Sequence, residues 1–193
     1  SRATDTKVLS EAVTAGVCEF ANFIVGSPDA AGEFFAGVKV APGHVAAGLD
    51  VARETEMGAL GRAVERGRYV VVVGPSGAGK SALMWRTAAS RTSGELIIRV
   101  LRVATDADAT HLVEYVRQMR PNSRRAVLLC VDDLGRDSTA KWPAAQDRLL
   151  EIPYVKILAA CRQEDLTPAI SLGAALVSAV LDTASAQSIY ERM

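Results

Sequence analysis

The chain has 193 residues, with 22 basic side chains, 22 acidic side chains and a formal net charge of zero. Hydrophobic residues make up 49% of the sequence, which is enough for the core of a folded domain and argues against a disordered chain. The zero net charge argues against a polybasic nucleic-acid arm or a membrane-surface patch as the main function.

The first 50 residues are predicted to form a small helical segment followed by a connector. Apolar residues recur at helical steps over residues 5–25, which predicts an amphipathic helix. The Ser-Pro pair at 27–28 is typical of a helix start, and Gly37 is the expected end of this short second helix. Proline and glycine residues over 38–50 predict a connector.

Strands and helices alternate in the rest of the chain. Each predicted strand is a short apolar run, and each predicted helix carries apolar side chains at helical spacing. Predicted strands cover 69–73, 96–103, 126–131, 154–160 and 176–181, and predicted helices cover 53–66, 79–90, 111–120, 144–151 and 183–192. This alternation predicts a three-layer α/β/α fold around a mostly parallel five-stranded sheet. Residues 135–147 are predicted as a loop near the ligand edge.

The cysteines and histidines predict neither a zinc site nor a disulfide framework, because three cysteines and two histidines are scattered without a CxxC pair. Cys130 and Cys161 each lie in an apolar run, which predicts buried free thiols. The chain starts without an apolar leader, and no apolar run approaches the roughly 18 residues of a membrane span. We therefore expect a cytoplasmic protein with no membrane partner. No motif in the sequence indicates direct binding to nucleic acid.

One segment matches the phosphate-binding loop pattern GxxxxGK[ST], the Walker A motif, at every fixed position. It consists of Gly74, Pro75, Ser76, Gly77, Ala78, Gly79, Lys80 and Ser81. The glycines let the backbone turn and bring N–H groups close to phosphate oxygens, and the following helix N-terminus favours anions. Lys80 is expected to reach the β- and γ-phosphates, and the Ser81 hydroxyl is expected to coordinate Mg²⁺. The segment therefore predicts a nucleotide site.

The apolar strand at 126–131 ends in two acids, Asp132 and Asp133. A phosphate-binding loop requires an acid of this kind, at the end of an apolar strand, to hold the magnesium ion. Asp132 is the candidate for the metal, and Asp133 is then placed to orient or deprotonate an attacking water. Two aspartates at a strand end also commonly cap a turn, and the phosphate-binding loop is what favours the catalytic interpretation.

A further apolar strand leads into Cys161 and Arg162. The carboxyl ends of parallel strands lie on one edge of the sheet, where ligands bind. We therefore expect Arg162 to project towards the γ-phosphate, where a guanidinium can distinguish a triphosphate from a diphosphate. An ordinary surface arginine is the alternative.

These motifs together resemble the STAND class of signal-transducing NTPases, which includes the NB-ARC-like switches of plant immunity, apoptosis and bacterial antiphage defence. The segment at 51–56, followed by Leu60, is similar to the GRE-x-E-x-x-x-L helix of this class, with Ala52 in place of the usual glycine. Residues 181–190 are similar to the segment that leads into the helical lid of this class. The resemblance implies ATP or ADP as the cofactor with Mg²⁺, and it implies that Arg53 binds the cofactor in the region that borders the adenine.

The resemblance also implies a longer protein. We expect a helical N-terminal segment and connector at 1–50, an NTPase core at 51–182, and the start of a truncated helical lid at 183–193. The expected partners are the missing lid, winged-helix, effector and sensor regions, and a second copy of the chain in a nucleotide-dependent homo-oligomer.

Four functions stay open on the sequence. The favoured one is slow ATP hydrolysis that acts as a conformational switch in a signalling or defence protein, with Lys80, Asp133 and Arg162 as catalytic residues. The alternatives are a mechanochemical ATPase of the AAA type, a small-molecule kinase, and a nucleotide-binding scaffold that does not hydrolyse. The first alternative needs an arginine finger and the second an acceptor pocket, and no sequence motif marks either of them.

Overall fold

The computed structural model describes residues 12–13, 15–24, 39–51 and 53–180. The helices predicted after the Ser-Pro pair at 27–28 and over 183–192 lie outside the described residues. So does part of the helix predicted over 5–25.

Strands and helices alternate through the described residues. The strands are β1 (Cys18–Phe20), β2 (Tyr69–Gly74), β3 (Glu95–Val100), β4 (Ala126–Leu134), β5 (Val155–Arg162) and β6 (Ala175–Ser178). The α-helices are α1 (Pro42–Ala46), α2 (Glu54–Arg66), α3 (Lys80–Ala89), α4 (Asp106–Gln118), α5 (Trp142–Leu150) and α6 (Pro168–Ser171). Two 3-10 turns cover Asp137–Thr139 and Gln163–Asp165.

The strands form one sheet in the order β1-β3-β4-β5-β2-β6. All neighbouring pairs among β2 to β6 are parallel, and β1 pairs antiparallel with β3 at one edge. The predicted mostly parallel α/β fold of a P-loop NTPase is therefore confirmed. The strand β2, which leads into the phosphate-binding loop, lies inside the sheet and is buried along its whole length.

The sheet has six strands and not the predicted five, because β1 was not expected. The helix predicted over 5–25 is wrong at residues 18–20, where Cys18 pairs with Val100 and Phe20 with Ile98. The Glu19 carboxylate also accepts a hydrogen bond from Arg99 at 3.2 Å across the same pair of strands. A three-residue strand is too short to show its own alternation, so pairing with β3 prevails over a local helical pattern.

Helix α4 begins at Asp106, whereas the sequence predicted a start at 111. The missed signal is a capping box, in which the Thr105 hydroxyl accepts a hydrogen bond from the Asp108 N–H at 3.1 Å. Strand β3 ends at Val100 and not at 103, because the next two N–H groups both donate to the Val17 carbonyl.

Two segments predicted as irregular contain helices. The predicted connector at 38–50 contains α1, and the predicted loop at 135–147 contains a 3-10 turn and the start of α5. Both helices have a proline in the first turn, Pro42 or Pro143. Backbone N–H groups in the first turn form no hydrogen bond within the helix, so the missing N–H of proline costs nothing there. Strand β6 covers Ala175–Ser178, slightly earlier than predicted.

Side chains pack on both faces of the sheet and confirm the three layers. Alternate residues of β4 enter opposite clusters, with Leu129 on the face covered by α4 and α5 and Leu128 on the face covered by α2 and α3. Cys18, Cys130 and Cys161 are buried free thiols, as predicted for the last two. No helix in the described part of the chain is long and apolar enough to cross a membrane.

Candidate nucleotide and magnesium site

The predicted site residues lie at the carboxyl edge of the sheet. The phosphate-binding loop connects β2 to α3, Asp132 and Asp133 lie near the end of β4, and Arg162 is the last residue of β5. Arg162 is the register partner of Gly74, the first residue of the loop. The parallel strands thus bring three separate sequence motifs to one edge.

The loop glycines are required for different physical reasons. Gly77 and Gly79 have φ values of 78° and 72°, in the left-handed region that favours glycine. Gly74 has an ordinary φ, but a Cβ there would lie 2.5 Å from the Ala179 carbonyl oxygen. Gly74 therefore permits the close approach of the chain after β6, and only the other two serve the curvature of the loop.

The start of α3 presents backbone N–H groups at the end of the loop. Its N-cap is Gly79, which has no side chain to bond them, and the first helical hydrogen bond runs from the Leu83 N–H to the Gly79 carbonyl at 3.0 Å. The preceding N–H groups of the first turn have no acceptor within the helix. A helix start with such N–H groups is suited to bind a phosphate group.

The Lys80 side chain folds back over the loop and donates a hydrogen bond to the Pro75 carbonyl at 2.6 Å. Burial lowers the pKa of Lys80, and the neighbouring Arg162 lowers it further, whereas Asp132 and Asp133 raise it. The structure therefore places Lys80 near Arg162 and near both predicted acids.

Ser81 and Asp132, the two predicted metal ligands, are in direct contact. The Ser81 hydroxyl donates to Asp132 Oδ1 at 2.8 Å. Asp132 is only 8% exposed, and its Oδ2 is buried without a hydrogen-bond partner among the described residues. Burial raises the pKa of Asp132, and the nearby Lys39 and the hydrogen bond from Ser81 partly offset this effect.

This pair of oxygen donors fits a magnesium ion. A buried carboxylate oxygen without a partner is costly unless a ligand satisfies it. Mg²⁺ is usually held by one or two carboxylates, with nucleotide phosphates and water as the other ligands. The described residues contain no group of three or more His, Cys, Asp or Glu side chains that could hold a metal by themselves.

Asp133 lies on a β-bulge. The pairing of β4 with β5 shifts register between Val131 and Leu134, and Asp133 has a φ of 54°, which is uncommon for a residue other than glycine. Its backbone is held by a hydrogen bond from its N–H to Asp132 Oδ1 at 3.0 Å and by one from the Thr139 hydroxyl to its carbonyl at 3.3 Å. The bulge leaves the Asp133 side chain 39% exposed at the edge of the site.

Lys39 belongs to the site, although the sequence assigned it no role. Its ammonium nitrogen lies 2.9 Å from Asp133 Oδ2 and 4.0 Å from Asp132 Oδ2. Lys39 lies in the predicted connector, far from both acids in the sequence, and no motif surrounds it. Only the folded chain brings these charges together.

Arg53, predicted to bind the cofactor, lies under the phosphate-binding loop. It is only 7% exposed, and its Nη1 donates to the Ala78 carbonyl at 2.9 Å and to the Val180 carbonyl at 3.4 Å. Its Nε lies 3.6 Å from Glu56, and its Nη2 is buried without a partner in the described structure. Arg53 thus supports the backbone of the loop directly.

The model of the family described as Novel STAND NTPase 5 matches residues 32–170. The chain belongs to this family. The matched range includes Lys39, Arg53, the phosphate-binding loop, the acid pair and Arg162. The resemblance to STAND NTPases stated from the motifs is thereby confirmed.

Two solved structures are similar to this STAND NTPase chain. The structure of C. elegans PCH-2 has a TM-score of 0.47 and 14% identity, and the match covers 70% of this chain and 42% of that one. The structure of Rhizobiales Trip13 has a TM-score of 0.42 and 26% identity, and the match covers 62% of this chain and 48% of that one. The chain thus spans less than half the length of either protein. A comparison with curated proteins finds no match.

Proposed function

We propose that this chain binds ATP or ADP with Mg²⁺ and hydrolyses ATP slowly, so that the bound nucleotide switches the conformation of a cytoplasmic signalling or defence protein. Membership of a STAND NTPase family supports the binding of a nucleotide. The observation that carries the proposal is the contact of Ser81 with Asp132 beside a helix start whose N–H groups have no partner in the helix.

Each residue has a role that its position allows. The N–H groups of the loop and the Lys80 ammonium bind phosphate oxygens, and Ser81 and Asp132 hold the metal. When bound, Mg²⁺ supplies positive charge that neutralises the phosphates. Arg162, beside Gly74, binds the terminal phosphate, and Asp133 accepts the proton of the attacking water.

The contacts of Asp133 support slow turnover. Its carboxylate is 2.9 Å from the Lys39 ammonium, so this ion pair must open before the carboxylate can approach an attacking water. The same contact favours a second candidate, a nucleotide-binding scaffold that does not hydrolyse. Asp133→Asn distinguishes the two functions, because it stops hydrolysis by a switch and changes no activity of a scaffold.

The test is to identify the nucleotide that the chain retains after mild purification, by denaturing it and chromatographing the supernatant. We expect ADP, and we expect the affinity for Mg²⁺-ADP to fall at least about a hundredfold in Lys80→Met, since charge-assisted phosphate contacts are lost. Lys141→Met is the control for removal of a lysine, because the Lys141 ammonium forms an ion pair with Asp106 at 3.3 Å and none with the loop. Wild-type protein that binds neither ATP nor ADP contradicts the proposal.

A further inference from the structure

Among the described residues, Lys39 has the cation nearest to Asp132 Oδ2, the Asp132 oxygen without a hydrogen-bond partner. Its ammonium lies 4.0 Å from Asp132 Oδ2, the oxygen that is buried without a hydrogen bond. It lies at hydrogen-bond distance, 2.9 Å, from Asp133 Oδ2. One ammonium is therefore shared between the two acids at the place where a metal ion would need their charge.

The backbone that carries Lys39 is fixed to the core. The next residue, Val40, packs against the cluster between the sheet and α2 and α3, and Val45 of α1 is buried in the same cluster. The Lys39 side chain itself is 49% exposed. The ammonium is thus held close to the acids by a fixed backbone, whereas its flexible four-carbon stem can swing into solvent without unfolding any element.

Two cations cannot share this place at low energetic cost. A metal ion held by Ser81 and Asp132 would bring a second positive charge to Asp132, whose Oδ2 lies 4.0 Å from the Lys39 ammonium, and like charges repel strongly in a partly buried site. Binding of the metal therefore requires the Lys39 ammonium to leave the acid pair.

We propose that Lys39 sets the metal affinity of this site: its ammonium is the counter-cation of Asp132 and Asp133 when no metal is bound, and Mg²⁺ binds by displacing it. The inference rests on the proposed function for the identity of the metal. Lys39 is thus a site residue that no motif marks. The metal ion competes with the Lys39 ammonium for the same two carboxylates.

The experiment measures the affinity of the 193-residue chain for Mn²⁺ alone, without nucleotide, by electron paramagnetic resonance or calorimetry. Mn²⁺ is a suitable probe because it takes the same carboxylate, hydroxyl and water ligands as Mg²⁺. We expect Lys39→Met and Lys39→Gln to bind Mn²⁺ about tenfold more tightly than the wild type, since a competing unit charge is removed. Lys39→Arg keeps the charge and is expected to stay near the wild type.

Two controls define the site. Lys141→Met removes a lysine that is 47% exposed and forms an ion pair with another acid, so its affinity for Mn²⁺ is expected to be unchanged. Asp132→Asn in the Lys39→Met background is expected to abolish the increase in affinity for Mn²⁺. Circular dichroism and thermal unfolding confirm that each variant is folded.

An affinity that is unchanged or weaker in both uncharged Lys39 variants overturns the inference, as does the absence of Mn²⁺ binding in every variant. Failure of the proposed function gives a different result. If the wild type binds no nucleotide but the Lys39 variants gain Mn²⁺ affinity, the nucleotide proposal is overturned and the inference stands. If the wild type binds Mg²⁺-ADP and the Lys39 variants gain nothing, only the inference is overturned.

Discussion

Two buried carboxylates lie near the carboxyl ends of β3 and β4, at the same edge of the sheet. Asp108, at the start of α4, is 4% exposed, and Asp132, near the end of β4, is 8% exposed. Both oxygens of Asp108 are bonded, since Oδ2 accepts from the N–H groups of Ala104 and Thr105 at 3.0 and 3.1 Å and Arg102 donates to both oxygens at 3.1 to 3.2 Å. Within the described part of the chain, only one oxygen of Asp132 has a hydrogen-bond partner.

The two environments shift the pKa values of these acids in opposite directions. Burial alone would raise the pKa of Asp108, but the hydrogen bonds from Arg102 and the two backbone N–H groups outweigh it and hold the pKa below its usual value. Burial raises the pKa of Asp132, and its fewer partners do not outweigh that effect. The degree of burial therefore does not separate these two acids. The number of hydrogen-bonded oxygens does, because both oxygens of Asp108 are bonded within the fold and one oxygen of Asp132 is not.

The largest expected effect is on metal-dependent binding and turnover. Asp132→Asn removes the carboxylate charge at the proposed metal, so we expect ATP hydrolysis to fall at least about a hundredfold and the effect of Mg²⁺ on ADP affinity to disappear. Asp108→Asn leaves the proposed ligands in place, and we expect its ADP affinity to stay within about threefold of the wild type. Calorimetry with and without Mg²⁺ and a turnover assay measure both variants. Equal losses in the two variants would contradict the comparison.

The second expected effect is on stability, and here Asp108→Asn is expected to have the larger effect and Asp132→Asn the smaller. Asp108→Asn replaces charge-assisted hydrogen bonds from Arg102 and the backbone, so we expect the free energy of unfolding to fall by about 2–3 kcal/mol. Asp132→Asn removes a buried charge with one unbonded oxygen, and we expect a change of less than about 1 kcal/mol. Denaturant unfolding without metal or nucleotide measures both changes. A larger loss in Asp132→Asn than in Asp108→Asn would show that Asp132 is mainly a structural acid.

The same two regions show how far the sequence predicts this molecule. The loop pattern and the acids after an apolar strand suffice to place Ser81 and Asp132 at one edge, because parallel strands align their carboxyl ends. The Thr105–Asp108 capping box is likewise a local pattern, and it marks the start of α4. The contacts of Lys39 are not predictable in this way, since an ion pair between distant segments depends on the tertiary path of the chain.

The strand β1 and the bulge at Asp133 also lie beyond local patterns. The three residues of β1 satisfy a helical spacing as well as a strand, and only the free edge of β3 decides between them. The bulge depends on the shifted register of β4 with β5, a tertiary contact that no pattern around Asp133 marks.

The smallest expected effect is the acid sensitivity that Asp108 confers. Its pKa is lowered on folding, so the unfolded chain binds more protons as the pH falls, and the stabilisation by Asp108 is complete above about pH 4 and is lost at lower pH. As the pH falls below 4, we expect the difference in unfolding free energy between the wild type and Asp108→Asn to narrow, by about 1.4 kcal/mol for each pH unit by which folding lowers the pKa of Asp108. Arg102→Met, which leaves the two backbone hydrogen bonds to Asp108 in place, should retain part of this dependence. Denaturant unfolding at a series of pH values measures it, and a difference between the wild type and Asp108→Asn that does not change with pH would show that Asp108 titrates alike in the folded and unfolded chain.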